Sequence, residues 1–582
     1  KAVLHVNNGG PVENYLEVMA STTREVITLQ FGHYANFVGT HLWNIQESSF
    51  VYDDQMHQDN LPIKELNNDV MFREGQTLTG EVTYTPRLIA VDLKGSLTHL
   101  KETGDLYGEP KGDAAALWNG GLTVHEEESA EKNEFLKDLE EDVSDLNLNG
   151  ESSQNTDNFQ LPATAKLYDL DNVVKSWSDY LRLFMHPKSL YVINKYQHSN
   201  ELDKFDIFGA GLNLFTPQSG SSDLEDRCHF FLEDCDHLQG FHILADMYNG
   251  FGGVCSSLLQ QLEEDCPNRA FATFPVYPAH FENLTSPDDI YKVINSALTL
   301  DRLSSLGSFV APMSLSSTLW RRPGPPLSFP HLDYEAKCNY HSSAVLAAAL
   351  ESLTSPYRTL NSPCDMMQMA SCLTPVGRKV LSVHSSMPLP VSESKTLMDL
   401  FIETGDDLPW SPLSPYSQRG VPLAQSVVLR GISKAKALRP PDQHTPPQLG
   451  RCQTADQLLE LYLSETCPSS LSAGLVLNNK VKTVAPFPHI FKQDVNPFGN
   501  VSSRSRPSSQ GVQEMPVATS LQCSQSSSHI LTKLLQVCEK IDIRKYHRFM
   551  EHGLEQEEFK EVLSNLETLA QNYDERTEGF YS

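Results

Sequence analysis

Twenty residues near the start of the chain constrain its fold most. The run Arg24-Glu-Val-Ile-Thr-Leu-Gln-Phe-Gly-His-Tyr-Ala-Asn-Phe-Val-Gly-Thr-His-Leu-Trp43 joins an apolar strand, a glycine turn and a new helix. Val26, Ile27, Leu29 and Phe31 suit a strand buried on both faces, as in a parallel sheet covered by helices. Gly32 permits a sharp turn that aims the next helix's N-terminus at a ligand, where free backbone N–H groups favour an anion such as phosphate. On these residues alone the unit also serves as plain architecture, so both readings stand.

Length and composition set the outer limits. A chain of 582 residues with 40% hydrophobic content can bury a large core in two or three domains. A net charge of −29 repels a phosphate backbone, which excludes nucleic acid as a general partner. Eleven cysteines without a CxxC pair fit reduced thiols in the cytosol better than a disulfide framework. No apolar run is long enough for a transmembrane segment, and residues 1–23 read as a flexible leader lacking signal or presequence character. Met19 within it is the expected natural start, a genuine flexible extension being the alternative.

Strand-like and helical runs alternate through the first three hundred residues, the pattern of an α/β fold with a parallel sheet. Leu88-Ile-Ala-Val-Asp92 and Leu190-Tyr-Val-Ile193 supply further strands, while Leu170, Val173, Val174, Trp177, Leu181 and Phe184 recur at helical spacing. Between them, residues of about 101–160 lose periodicity. Glu126 to Asp157 holds twelve acidic residues against two lysines, which predicts a disordered acidic insertion, either a solvated loop or an arm for a basic partner.

The opening run is similar to that of the tubulins, R-E-I-x-x-Q-x-G-Q-C-G-N-Q-I-G, with Gly32, Asn36, Gly39 and Trp43 in register and His33-Tyr34 at the family's Gln-Cys. Tyr84-Thr-Pro-Arg-Leu-Ile-Ala-Val-Asp-Leu93 resembles Y-x-P-R-A-x-x-V-D-L, but Lys94-Gly95 stands where the family has an acidic residue near the nucleotide's metal. A lysine cannot ligate magnesium, whereas Asp92 can through water. Leu238-Gln-Gly-Phe241 matches the run before the tubulin phosphate loop. The loop itself, Tyr248-Asn-Gly-Phe-Gly-Gly-Val254, keeps Gly250 and Gly252 of G-G-G-T-G-S-G and adds Tyr248, Phe251 and Val254, which narrow the approach of an anion.

The resemblance further puts Asp288 at the ribose position, with helix capping as the alternative, and Asn339 at a base-reading position. Asp365-Met-Met-Gln368 matches the acidic loop that orients water for hydrolysis, with a glutamine in place of the carboxylate base. Asp365 there can equally cap a helix. Gln425-Ser-Val-Val-Leu-Arg-Gly431 and Leu477-Asn-Asn-Lys-Val-Lys-Thr-Val484 resemble the tubulin intermediate domain, and Gly553 to Leu566 its final helices. Histidines come in pairs eight apart, His33 with His41 and His229 with His237, without the cysteine or carboxylate company of a zinc site in sequence, so no metal site is expected.

Taken along its length, the sequence resembles the misato family of divergent tubulin-like proteins. This implies a tubulin-like N-terminal α/β domain over 24–340, a parallel-sheet nucleotide-binding-type domain, followed by an intermediate α/β domain over 341–500. A serine-rich linker over 501–527 and a C-terminal helical hairpin within 528–582 complete the expectation. The resemblance implies a cytoplasmic protein, peripheral at the mitochondrial outer membrane, that acts in mitochondrial distribution, morphology and fusion through protein partners there. On mechanism two readings compete: a non-catalytic scaffold, and a GTP-binding, polymerising protein with microtubule-associated partners at the spindle. In the second, Gly32, Asn36, Gly250, Gly252, Asp288 and Asn339 form the nucleotide shell.

Overall fold

Apolar runs separated by helices close into a parallel sheet because each strand needs cover on both faces. The computed structural model describes residues 24–50, 64–76, 82–102, 131–148, 166–200, 202–215, 222–281, 286–360, 364–392, 395–405, 410–439 and 446–573. The expected leader over 1–23 lies outside the described residues. Strand β1 (Val26–Phe31), fully buried along its length, leads through Gly32 into helix α1 (His33–Glu47). A hairpin of β2 (Phe72–Gln76) and β3 (Val82–Pro86) precedes β4 (Leu88–Lys94).

Helix α2 (Glu134–Leu148) is followed by β5 (Leu190–Gln197), α3 (Ser222–Glu233) and β6 (Gly240–Asp246). Then come α4 (Phe251–Asp265), β7 (Ala270–Val276), α5 (Ser286–Leu306) and β8 (Phe309–Val310). The six long-sheet strands pair in parallel in the order β5-β4-β1-β6-β7-β8. Chain order reverses on either side of β1, so its carboxyl end at Phe31 opens into the crevice where α/β sheets bind ligands.

Beyond helix α6 (Asn339–Leu353) and α7 (Met366–Leu373) a second sheet forms. It uses β9 (Ser382–Ser386), β10 (Ser411–Pro412), β11 (Ala424–Arg430) and β12 (Leu471–Leu477), with helices α8 (Leu397–Thr404) and α9 (Ala455–Thr466) over one face. A short pair, β13 (Val481–Lys482) and β14 (Glu514–Met515), leads to β15 (Val517–Cys523). Strand order is β10-β9-β15-β11-β12, mixed in direction. Helices α10 (His529–Cys538), α11 (His547–Glu551) and α12 (Gln556–Gln571) close the chain.

Three expectations fail here. Of the stretch of about 101–160, residues 103–130 and 149–160 lie outside the described residues, and the described part holds α2, started by Asn133, whose side-chain oxygen accepts from Leu136 N–H at 2.9 Å. Phe135, fully buried with its ring edge against Tyr168, anchors that helix despite the acidic surroundings. Residues Leu170 to Phe184 form no α-helix. Asp179 accepts from the Lys175 and Ser176 N–H groups and caps a single short turn at Trp177–Tyr180, leaving Val173 and Phe184 exposed. The serine-rich stretch 501–527 is no linker, because it carries β15, the central strand of the second sheet, whose seven residues are all buried.

The two sheets meet at an ionic joint. Glu351 of α6 accepts from Arg358 at 2.8 Å, from Arg430 of β11 at 3.0 Å and from Gln46 of α1 at 2.8 Å, all four side chains being buried. At the other end, the Tyr573 hydroxyl donates to the Val380 carbonyl at 2.6 Å. Phe559, Val562 and Leu566 bury the inner face of α12, each contributing roughly 1.5–3 kcal/mol.

Candidate functional site

The crevice beyond β1 is built by Gly32, which turns the chain at φ +109° and leaves the first N–H groups of α1 pointing into the sheet's carboxyl edge. Such a helix end needs an anion or an acceptor. Here the chain supplies its own. The Asp246 carboxylate, at the last position of β6 and fully buried, accepts from Ala35 N–H at 2.9 Å and from Tyr34 N–H at 3.3 Å. Tyr248 Oη donates to it at 3.2 Å and Asn249 Nδ2 at 3.3 Å. Burial pushes its carboxyl up to about 7, against the pull of the two backbone donors.

Gly32 is therefore required by Asp246. A Cβ at Gly32 would lie 2.4 Å from Asp246 Oδ2, in addition to the strain of a positive φ. The loop glycines are likewise packing positions. A Cβ on Gly250 would meet the Phe205 ring at 2.8 Å, and one on Gly252 would meet Thr299 Oγ1 of α5 at 2.1 Å. The residues added to the loop fill its mouth: Phe251 and Val254 are buried, and the Tyr248 ring packs edge-on against Tyr277 and Phe281.

Asn36 lies fully buried one turn into α1 and donates to the Val91 carbonyl at 3.1 Å and to Asp92 Oδ2 at 3.3 Å. Tyr34 reaches across to α6, its hydroxyl donating to Ser342 Oγ at 3.1 Å, and burial raises that hydroxyl's pKa. Asn339 is the first residue of α6, and its carbonyl accepts from the Ser343 hydroxyl at 2.5 Å. Asp288 sits in the first turn of α5, 4.0 Å from Lys204 Nζ. Gly32 thus lies against Asp246 and Asn36 against Asp92, whereas Gly250 and Gly252 pack on Phe205 and Thr299 and Asp288 is engaged by a lysine.

Lys94 is exposed at the end of β4. Asp365 and Gln368 form a reciprocal capping box on α7, Asp365 Oδ1 accepting from Gln368 N–H at 2.8 Å and Gln368 Oε1 from Asp365 N–H at 3.1 Å. The capping alternative describes this pair. A nucleotide phosphate would need the backbone donors that Asp246 holds and the space that Tyr248 takes. The residues present do not fit it.

Sequence reasoning missed Asp246, Trp177 and His198. The Trp177 indole N–H donates to Asp92 Oδ2 at 2.8 Å, and the His33 imidazole lies 3.2 Å from the same oxygen. Burial pulls His33 down, but the Asp92 carboxylate more than offsets this and leaves the imidazole above its usual range. Although burial opposes it too, His33 in turn holds Asp92 below the ordinary carboxylate value. His33 therefore has the carboxylate company that its spacing in sequence did not reveal. Its sequence partner His41 is buried elsewhere on α1, donating to the Tyr340 carbonyl at 2.9 Å.

The six-stranded parallel sheet, the glycine turn into α1 and the β6-loop-α4 unit define a tubulin-like α/β protein in which Asp246 occupies the first N–H groups of α1. The family profile described as "Misato Segment II tubulin-like domain" matches residues 24–141, and that described as "Tubulin domain" matches residues 168–359. Protein misato homolog 1 of Homo sapiens is 38% identical over 568 residues, 95% of this chain and 99% of its own. The Danio rerio protein of the same name is 38% identical over 582 residues, covering 95% and 98%. Protein misato of Drosophila melanogaster is 30% identical over 569 residues, covering 94% and 97%. The chain belongs to the misato family.

Proposed function

We propose that this chain is a non-catalytic, tubulin-like scaffold that regulates mitochondrial distribution, morphology and fusion from the cytosolic face of the outer membrane. The observation that carries the non-catalytic part is the Asp246 carboxylate bound to the first N–H groups of α1, the place a phosphate would take. Gln368 in a helix cap supports it further, since a neutral side chain tied to its own N-cap is no general base. The mitochondrial part rests on membership of the misato family.

Among the described residues, no helix is long and apolar enough to cross a membrane. A net charge of −29 disfavours anionic lipid as the sole anchor, so recruitment runs through a protein receptor. In cells depleted of the protein, mitochondria should lose their normal distribution, and a chain carrying Gln368→Ala should restore it as fully as the wild type. Unchanged mitochondria on depletion would overturn the mitochondrial role. Failure of Gln368→Ala to rescue, with normal expression, would overturn the non-catalytic one. Binding to protein-free anionic liposomes as strong as to isolated mitochondria would contradict the receptor.

A further inference from the structure

The carboxyl edge of the sheet holds a second constellation beside Asp246. We propose that His33, Asp92 and His198 form a zinc site. Strand order explains their meeting: β5, β4 and β1 are neighbours in the sheet, His33 and His198 follow β1 and β5, and Asp92 lies near the carboxyl end of β4. The His198 N–H donates to the Lys94 carbonyl at 2.9 Å, which fixes the start of the loop after β5 against the end of β4.

The donor set suits zinc and the donor atoms lie close together, the rings turning apart as an ion enters. One ligand atom from each side chain can be chosen so that all three lie within 4.8 Å of one another. His33 Nδ1 and Asp92 Oδ2 are 3.2 Å apart, close to the edge of about 3.3 Å expected of a tetrahedral centre with bonds of about 2.0–2.1 Å. The two imidazole rings lie with centroids 4.1 Å apart, tilted by 37°. Two imidazoles and one carboxylate are a zinc donor set, whereas magnesium prefers oxygen and water alone.

The surroundings prepare the carboxylate. The Trp177 indole and Leu93 N–H each donate to Asp92 at 2.8 Å, one to each oxygen, so its orientation is set before an ion arrives. Asp92 is buried, His33 partly so and His198 exposed, which gives the ion a route from solvent and leaves a position for water. Bound there, zinc ties the loop after β5 to the first turn of α1 across β4. The site is independent of nucleotide, because none of its ligands donates to the seat that Asp246 fills.

The test uses the full chain, stripped with a chelator under reducing conditions and titrated with Zn²⁺ against a chromogenic competitor. The wild type should take up one tight equivalent, weakened about tenfold or more in His198→Ala. His198 is exposed, so that variant should keep its fold, as circular dichroism will check. Co²⁺ should give visible ligand-field bands that vanish in both His198→Ala and His33→Ala. Eleven cysteines offer competing sites, and a sulfur-to-cobalt charge-transfer band would expose them. An equivalent that His198→Ala leaves at unchanged affinity, a cobalt spectrum of thiolate type, or the absence of tight binding in the wild type would each overturn the site.

Discussion

Replacing Asp246 by asparagine should change how stability depends on pH, and the size of the change follows from the site. Burial raises the folded carboxyl from 3.8 to about 7. Because the folded value lies above the unfolded one, the folded chain keeps a proton that the unfolded chain releases. The group's contribution is therefore fully present below about pH 4 and is lost as pH rises towards about 7. Between about pH 5 and about pH 7 the loss covers two units at about 1.4 kcal/mol each, or about 3 kcal/mol. An asparagine at this position would carry no such charge.

The assay is urea denaturation of wild type and Asp246→Asn in parallel from pH 5 to pH 8, reading the difference so that titrations common to both cancel. The asparagine carries a pH-independent offset, because its amide must face one of the two N–H groups that the carboxylate accepts. On top of that offset, the variant should gain about 3 kcal/mol relative to the wild type across the window. A difference that stays flat from pH 5 to pH 8 would show that Asp246 does not titrate in a buried seat, and the reasoning would fail.

Two further expectations concern packing. Glu351→Ala leaves Arg358 and Arg430 buried around no carboxylate and should cost about 3–5 kcal/mol, whereas Arg430→Met keeps the Glu351–Arg358 pair and should cost less than half as much. Chemical denaturation of both variants checks the order, which equal losses would refute. Gly252→Ala should destabilise the nucleotide-free protein by about 1–3 kcal/mol, since its methyl group would collide with Thr299. If thermal melts of that variant match the wild type, the packing role of the glycine is wrong.

Much of the frame was legible because its residues obey local rules. Val26 to Phe31 and Leu88 to Asp92 read as buried strands from their apolar runs, and the structure pairs them in parallel. Strand β15 was hidden because the many serines around it signal a loop, yet here Thr519 and Ser520 are fully buried inside a sheet. Helix α2 was hidden by acidic neighbours that outnumber its buried anchor, Phe135. Leu170 to Phe184 showed the converse, a helical period overridden by the side-chain hydrogen bonds of Asp179.

The site was less legible, for a topological reason. Gly32 was marked by its place between strand and helix, and Gly250 and Gly252 by the resemblance to the tubulin loop, but why they must be glycine depends on Asp246, Phe205 and Thr299, which other segments bring in. One signal for Asp246 was present: a carboxylate closing a largely apolar strand directly before a glycine-bearing loop. His198 offered none, since it lies far along the chain from its ring neighbour His33, and only the order β5-β4-β1 joins them.

Calorimetric titration of the purified chain with GTP and magnesium tests the central claim most directly. With Asp246 on the N–H groups of α1 and Tyr248 in the mouth of the loop, no saturable heat should appear up to millimolar nucleotide. Stoichiometric binding with a micromolar Kd would contradict a phosphate seat filled from within.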